Sequence, residues 1–179
     1  MKGIIFTEFL ELVEEKFGLE MVDTIIKSSE LKSNGVYTGV GTYSFGEMVQ
    51  LLGNLSKETA IAPDDLLYVF AEHLFATLAT NYPGLMNTYS DPMDLLSSIE
   101  SHIHVEVRKI YSDAELPTFT VISRSDSELV MDYQSSRALY SLGHGLMQQT
   151  FNHFDQSADI SYQKLKDDGT KVRFTIRKK

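Results

Sequence analysis

Five histidines, His73, His102, His104, His144 and His153, are the residues of this chain with the widest chemical reach. A neutral imidazole can give one ring nitrogen to a metal ion, haem iron included, and leave the opposite axial position open for a small gas. A second constellation lies downstream, where Tyr133, Ser135 and Arg137 fall on alternate positions. In an extended segment these three point to one side and present two hydroxyls and a guanidinium to a single target. A guanidinium makes bidentate, charge-assisted bonds to a carboxylate, and the hydroxyls add neutral donors. Each feature also has a plainer use. A lone histidine is usually a surface or satisfied core residue, Ser135 or Ser136 suits the cap of a following helix with Arg137 solvated, and Pro117 suits a loop.

The elements that must position these residues are written as periodicity. Ile5, Phe9, Leu12 and Val13 recur at helical spacing with Glu8, Glu11 and Glu15 on another face, which predicts a first helix. Met21 to Ser29 reads as a second short helix and Gly35 to Gly41 as a loop. Ser44-Phe45-Gly46-Glu47 matches a capping box. Pro63, Asp64 and Asp65 suit the first turn of a helix whose apolar stripe is Leu67, Phe70, Leu74 and Leu78. Asp91 and Pro92 open another, with Leu96, Ile99, Ile103, Val107 and Ile110 as its stripe. His102 and His104 flank that stripe roughly 200° apart at 100° per residue, so periodicity does not choose between them. Beyond Pro117 the pattern changes. Phe119 to Ser123 and Leu129 to Tyr133 read as strands, a helix runs from about Ser136 to Phe154, and Ile160 to Leu165 and Val172 to Ile176 form a second hairpin around Asp167-Asp168-Gly169. The fold class is α+β, with a helical N-terminal half and a hairpin–helix–hairpin C-terminal half carrying a four-stranded antiparallel sheet. Two subdomains sharing a ligand between them is the expected arrangement.

Bulk properties close off several functions. A chain of 179 residues can bury roughly 70% of its unfolded surface, enough for one core and an internal ligand. Its 16 basic and 25 acidic residues leave a formal charge of -9, with no Lys/Arg-rich stripe, which argues against nucleic acid and anionic membranes as partners. The absence of cysteine removes disulfides, thiolate ligation, iron–sulfur clusters and cysteine-based zinc sites. Glu8 and Glu11 interrupt any signal-peptide core, and the most apolar stretch, Leu66 to Ala79, contains Glu72 and His73 and is too short to span a bilayer. A cytoplasmic protein is expected.

His104, Pro117 and Tyr133-x-Ser135-x-Arg137, in this order and spacing, resemble the haem-binding signature of the H-NOX family, the haem nitric oxide/oxygen binding domains related to the haem domain of soluble guanylate cyclase. The likeness runs over essentially the whole chain and is to the bacterial stand-alone, NO-sensing type. It implies one haem-binding domain over residues 1–179, with subdomains of about 1–60 (distal) and 61–179 (proximal) and haem b between them. By the same resemblance His104 is the proximal iron ligand, Tyr133, Ser135 and Arg137 hold the haem propionates, and Pro117 packs against the haem. O₂-binding relatives place a distal tyrosine five residues after the motif arginine, where this chain has Leu142, and a supporting asparagine where it has Leu74. Tyr140, two residues before Leu142, lies roughly 200° round the helix and is not expected to substitute. Ile5, Phe9, Leu74 and Leu142 then form an apolar distal wall. Bound O₂ needs a hydrogen-bond donor whereas NO binds ferrous haem without one, so the resemblance implies a sensor of nitric oxide, with carbon monoxide as a further ligand, that excludes O₂.

Relatives of this type regulate a separate histidine kinase or diguanylate cyclase, and the chain carries no kinase, cyclase or phosphate-loop motif of its own. Two other classes are weaker. An acid–base enzyme could pair His102 or His104 with Glu100 or Glu106, but neither a Gly-x-Ser-x-Gly elbow nor an HExxH pattern supports it. An O₂ carrier or redox sensor would share the fold, and the carrier needs a distal donor that Leu142 does not supply.

Overall fold

The structure is a computed structural model describing residues Met1–Lys179. Its helices are α1 (Gly3–Phe17), α2 (Leu19–Lys27), α3 (Phe45–Thr59), α4 (Pro63–Asn81), α5 (Pro83–Met86), α6 (Pro92–Ser97), α7 (His104–Ile110) and α8 (Tyr140–His153). The strands are β1 (Thr118–Arg124), β2 (Glu128–Gln134), β3 (Ala158–Lys164) and β4 (Lys171–Lys178). Two hairpins, β1–β2 and β3–β4, join edge to edge through an antiparallel β2–β4 pairing, so the spatial order is β1-β2-β4-β3. The architecture is the α+β arrangement that the pattern predicts.

Two cores form, one on each side of α8. The helical core takes Phe6 and Phe9 from α1, Leu51 from α3, Phe70 and Leu74 from α4, and Leu142 from α8. α4 therefore packs with the N-terminal helices, and its burial continues past residue 60. The second core lies against the inner face of the sheet. Leu129, Met131 and Tyr133 of β2 stand opposite Ile176, Phe174 and Val172 of β4, and all six are buried. Residues two apart on a strand share a face, so this register turns these six side chains inward and leaves Val130, opposite Thr175, on the outer face. Met147 and Phe151 of α8 complete that core. Burying a Leu, Met or Phe side chain stabilises by about 1.5–3 kcal/mol, so each core is a substantial contributor.

α4 and α8 meet at Gly145, where an added Cβ would lie 2.4 Å from the Cβ of Ala71 and 2.7 Å from the carbonyl oxygen of Tyr68. Only glycine permits that approach.

Three local expectations are corrected. The helix opened by Asp91, whose side chain accepts from the Met93 N–H at 2.8 Å, does not run unbroken to Ile110. Ser97 and Ser98, weak helix formers, end α6, and a π-helical segment (Ile99–Ile103) carries the chain into α7. α8 begins at Tyr140 instead of Ser136, because Ala138 adopts a left-handed backbone with φ of 50°. The capping box at Ser44 is half formed. Ser44 accepts from the Gly46 N–H, while Glu47 is buried and takes the hydroxyls of Ser33 and Tyr37. A carboxylate with two better donors does not turn back to the helix start.

Candidate functional site

A cavity of about 840 Å³ lies between the helical half and the sheet half. That is within the range of cofactor-sized sites, roughly 300–1,000 Å³. Its helical wall is apolar, with Ile5 of α1, Leu74 of α4 and Leu142 of α8 reaching it. Phe9 does not, contrary to expectation. One helical turn further along α1 than Ile5, it is buried in the helical core and packs edge-on against Phe70 at 5.5 Å between ring centres. Tyr140 is also outside the lining. Its hydroxyl donates to Asp64 and its ring lies beside Tyr162, with the sheet core.

The opposite wall is where the regular elements break. His104, 7% exposed, stands at the join of the π segment and α7 and lines the cavity. Its Nδ1 lies 3.2 Å from Glu100 Oε2. An ionised carboxylate only accepts, so Nδ1 carries the proton and Nε2 keeps the free lone pair. Burial pulls the His104 pKa below its ordinary value of 6.5, against the opposing pull of Glu100. The ring is thus neutral at pH 7, as a metal ligand must be. Burial alone would raise the Glu100 carboxyl, but the Phe119 N–H, His104 and Arg108 together hold it below the ordinary range. Phe119 itself packs between His104 and Tyr133, with ring centres at 6.0 and 5.6 Å. His102 also borders the cavity, with its Nδ1 at 2.5 Å from the Tyr89 hydroxyl, but its ring packs with Tyr89 and not with the run of His104, Phe119 and Tyr133.

Tyr133, Ser135 and Arg137 follow at the end of β2 and in the turn before α8, and all three line the cavity, as does Pro117. Tyr133 is 2% exposed, and burial raises its pKa, so its hydroxyl stays protonated. Ser135 Oγ accepts from the Arg137 N–H at 3.2 Å and orders the turn. The guanidinium lies over the Phe45 ring, donates to the Glu115 carbonyl at 3.0 Å, and pairs with the Glu115 carboxylate. Glu115 is 82% exposed, so this pair contributes under about 1 kcal/mol and can give way to a better-enclosed acid group. Arg137 and Glu115 also border a smaller polar pocket of about 410 Å³, which puts the guanidinium at the wet rim of the cavity. Phe119 is a site residue that motif reading does not bring out, and Glu100 enters there only as a possible acid–base partner, not as the anchor of His104. The i,i+4 spacing of Glu100 and His104 is the one signal that could have found that anchor.

A family model described as Haem-NO-binding matches residues 2–162. The chain belongs to that family. Solved structures agree. An H-NOX protein from K. algicida, in the Fe(II) unliganded state, is 61% identical with a TM-score of 0.99, covering 100% of this chain and 97% of that one. An H-NOX from Shewanella woodyi, in the Fe(II)CO ligation state with IWP-051 bound, is 39% identical with a TM-score of 0.85 over 100% and 95%. An H-NOX protein from S. oneidensis in the Fe(II)NO ligation state, 24% identical with a TM-score of 0.92 over 100% and 99%, shares the fold. No curated protein matches the chain. H-NOX domains are haem-based gas sensors that bind ligands such as NO or CO at the haem, and they are sensor domains without catalysis of their own.

The cavity's residues fit an iron porphyrin. An apolar enclosure suits the macrocycle, a neutral imidazole with its second nitrogen anchored suits iron, and a cationic rim with two hydroxyls suits the acid groups. No helix is long and apolar enough to cross a membrane.

Proposed function

We propose that this chain is a nitric oxide sensor that holds haem b over residues 1–179, excludes O₂, and passes its state to a separate signalling enzyme in the cytoplasm. The observation that carries the reading is the cavity's asymmetry: the anchored, neutral imidazole of His104 on one wall, in line with Phe119 and Tyr133, and the aliphatic side chains Ile5, Leu74 and Leu142 on the other. Haem iron would supply the position at which a diatomic gas binds. His104 Nε2 is the proximal ligand, and Glu100 keeps its tautomer. Tyr133, Ser135 and Arg137 take the propionates, with Arg137 leaving Glu115 to do so, and Pro117 bounds the haem face. Ile5, Leu74 and Leu142 form the distal wall, and Phe9 supports it from behind through the helical core. Tyr140, committed to Asp64, offers no hydroxyl to a bound gas. NO tolerates that apolar wall and O₂ does not, with CO accepted like NO.

His104 begins α7 directly after the π segment, so a change in the pull on its ring acts on an already irregular stretch. A signal requires different contacts to the partner in the two states. A histidine kinase or a diguanylate cyclase is the partner class we infer, on family resemblance and the absence of an output motif in the chain.

The test is the visible spectrum of the purified protein, reduced without air, then exposed to air and to NO. A five-coordinate ferrous histidine haem, unchanged by O₂ and shifted by NO, is the expected result. A colourless protein that takes up no added haem, or one that forms a stable oxy complex, overturns the reading. Recovery of a signalling enzyme in a ligand-dependent pull-down checks the partner.

A further inference from the structure

Glu100 lies on the π segment, four residues before His104, and its carboxylate is shared among three groups. Oε2 is 3.2 Å from His104 Nδ1 and accepts from the Phe119 N–H at 3.1 Å, and Oε1 is 3.5 Å from Arg108 Nη2. Phe119 stands in β1, two residues past Pro117, so one carboxylate ties the histidine's helix to the first strand of the sheet. A carboxylate on the far nitrogen of a ligating histidine fixes its orientation and raises its basicity.

Resting on the haem reading above, we propose that Glu100 is a positioning residue that sets the strength of the bond between His104 Nε2 and iron, with Arg108 as its counterweight. Negative charge on Oε2 draws the Nδ1 proton toward it and leaves more electron density on Nε2. Arg108 withdraws part of that charge through Oε1. The two side chains therefore act in opposite senses on one bond, and Phe119 supplies the fixed point against which Glu100 holds the ring. A purely structural tie between α7 and β1 would need the hydrogen bonds but not the charge.

The experiment compares the ferrous, gas-free protein with Glu100→Gln and Arg108→Ala. Gln keeps an acceptor for His104 and Phe119 and removes the charge, and Arg108 is 45% exposed, so its loss spares the core. Resonance Raman should show the iron–histidine stretch falling in Glu100→Gln and rising in Arg108→Ala, with the iron midpoint potential moving up in the first and down in the second. Haem transfer to excess apomyoglobin should be roughly 10-fold faster in Glu100→Gln. In the haem-free protein, ¹⁵N NMR of the His104 ring should show the Nδ1–H tautomer losing population in Glu100→Gln. Stretch and potential unchanged in both variants at normal haem content would overturn the proposal and leave the haem reading intact. If Glu100→Gln fails to fold, Arg108→Ala decides alone, and an unmoved stretch there overturns it. An unaltered protein lacking a histidine-bound ferrous spectrum would instead remove the haem reading itself.

Discussion

The two walls of the cavity are built by opposite means. The aliphatic wall comes from the middles and ends of regular helices, α1, α4 and α8, where Ile5, Leu74 and Leu142 continue stripes that also pack the helical core. The polar groups of the opposite wall, set among aliphatic neighbours such as Leu96, Ile103 and Val107, come from interruptions: a π segment before His104, Pro117 before β1, and the left-handed Ala138 after Arg137. Regular secondary structure satisfies its own backbone and presents side chains by period, which serves a featureless surface well. Groups that must converge on one ligand from different directions need the chain to leave that period. The candidate site residues His104, Pro117 and Arg137 sit where the local rules are broken.

The sharpest way to break it is at His104. His104→Gly should leave a protein that purifies with little or no haem, measured as pyridine haemochrome per polypeptide, and added imidazole should restore uptake. Arg137→Ala comes next. Loss of a charged hydrogen-bonding partner costs about 1.5–3 kcal/mol, so haem should dissociate roughly 10- to 100-fold more readily, read by transfer to apomyoglobin. Leu142→Tyr converts the aliphatic wall instead. It should give a stable oxy complex in air at a cost of about 1–3 kcal/mol from overpacking beside Leu74, measured by urea unfolding. The smallest effect lies outside both walls, at His144 of α8, packed among Tyr68, Tyr162 and Phe174. Burial lowers its pKa from 6.5, so the neutral ring's contribution is complete above about pH 6.5 and is lost as pH falls through the lower folded value. His144→Phe should flatten the acid side of a urea-stability profile, and an unchanged slope would refute this.

The aliphatic wall and the sheet were legible in the sequence because burial imposes a period. Leu67, Phe70 and Leu74 fall on one stripe of α4, and Val172, Phe174 and Ile176 alternate inward on β4. Phe9 shows the limit of that reading. Its spacing places it on the same stripe as Ile5 but cannot say where along the helix the cavity ends and the core begins. The π segment was not legible, because Ile99 and Ile103 fit a continuous helix as well as a broken one. The spacing of Ser44 and Glu47 fits a local cap and carries no sign that a loop 14 and 10 residues away offers Glu47 stronger bonds through Ser33 and Tyr37. Glu100 was visible as a charged neighbour of His104, but its tie to Phe119 joins residues 19 apart and depends on the turn at Pro117.

α8 takes part in both cores, giving Leu142 to one and Met147 and Phe151 to the other. Opening either half uncovers one side of this helix. The backbone amides of α8 should therefore be the last to exchange with heavy water, opening only when the entire molecule does, whereas those of α2 and the β1 edge open in smaller events.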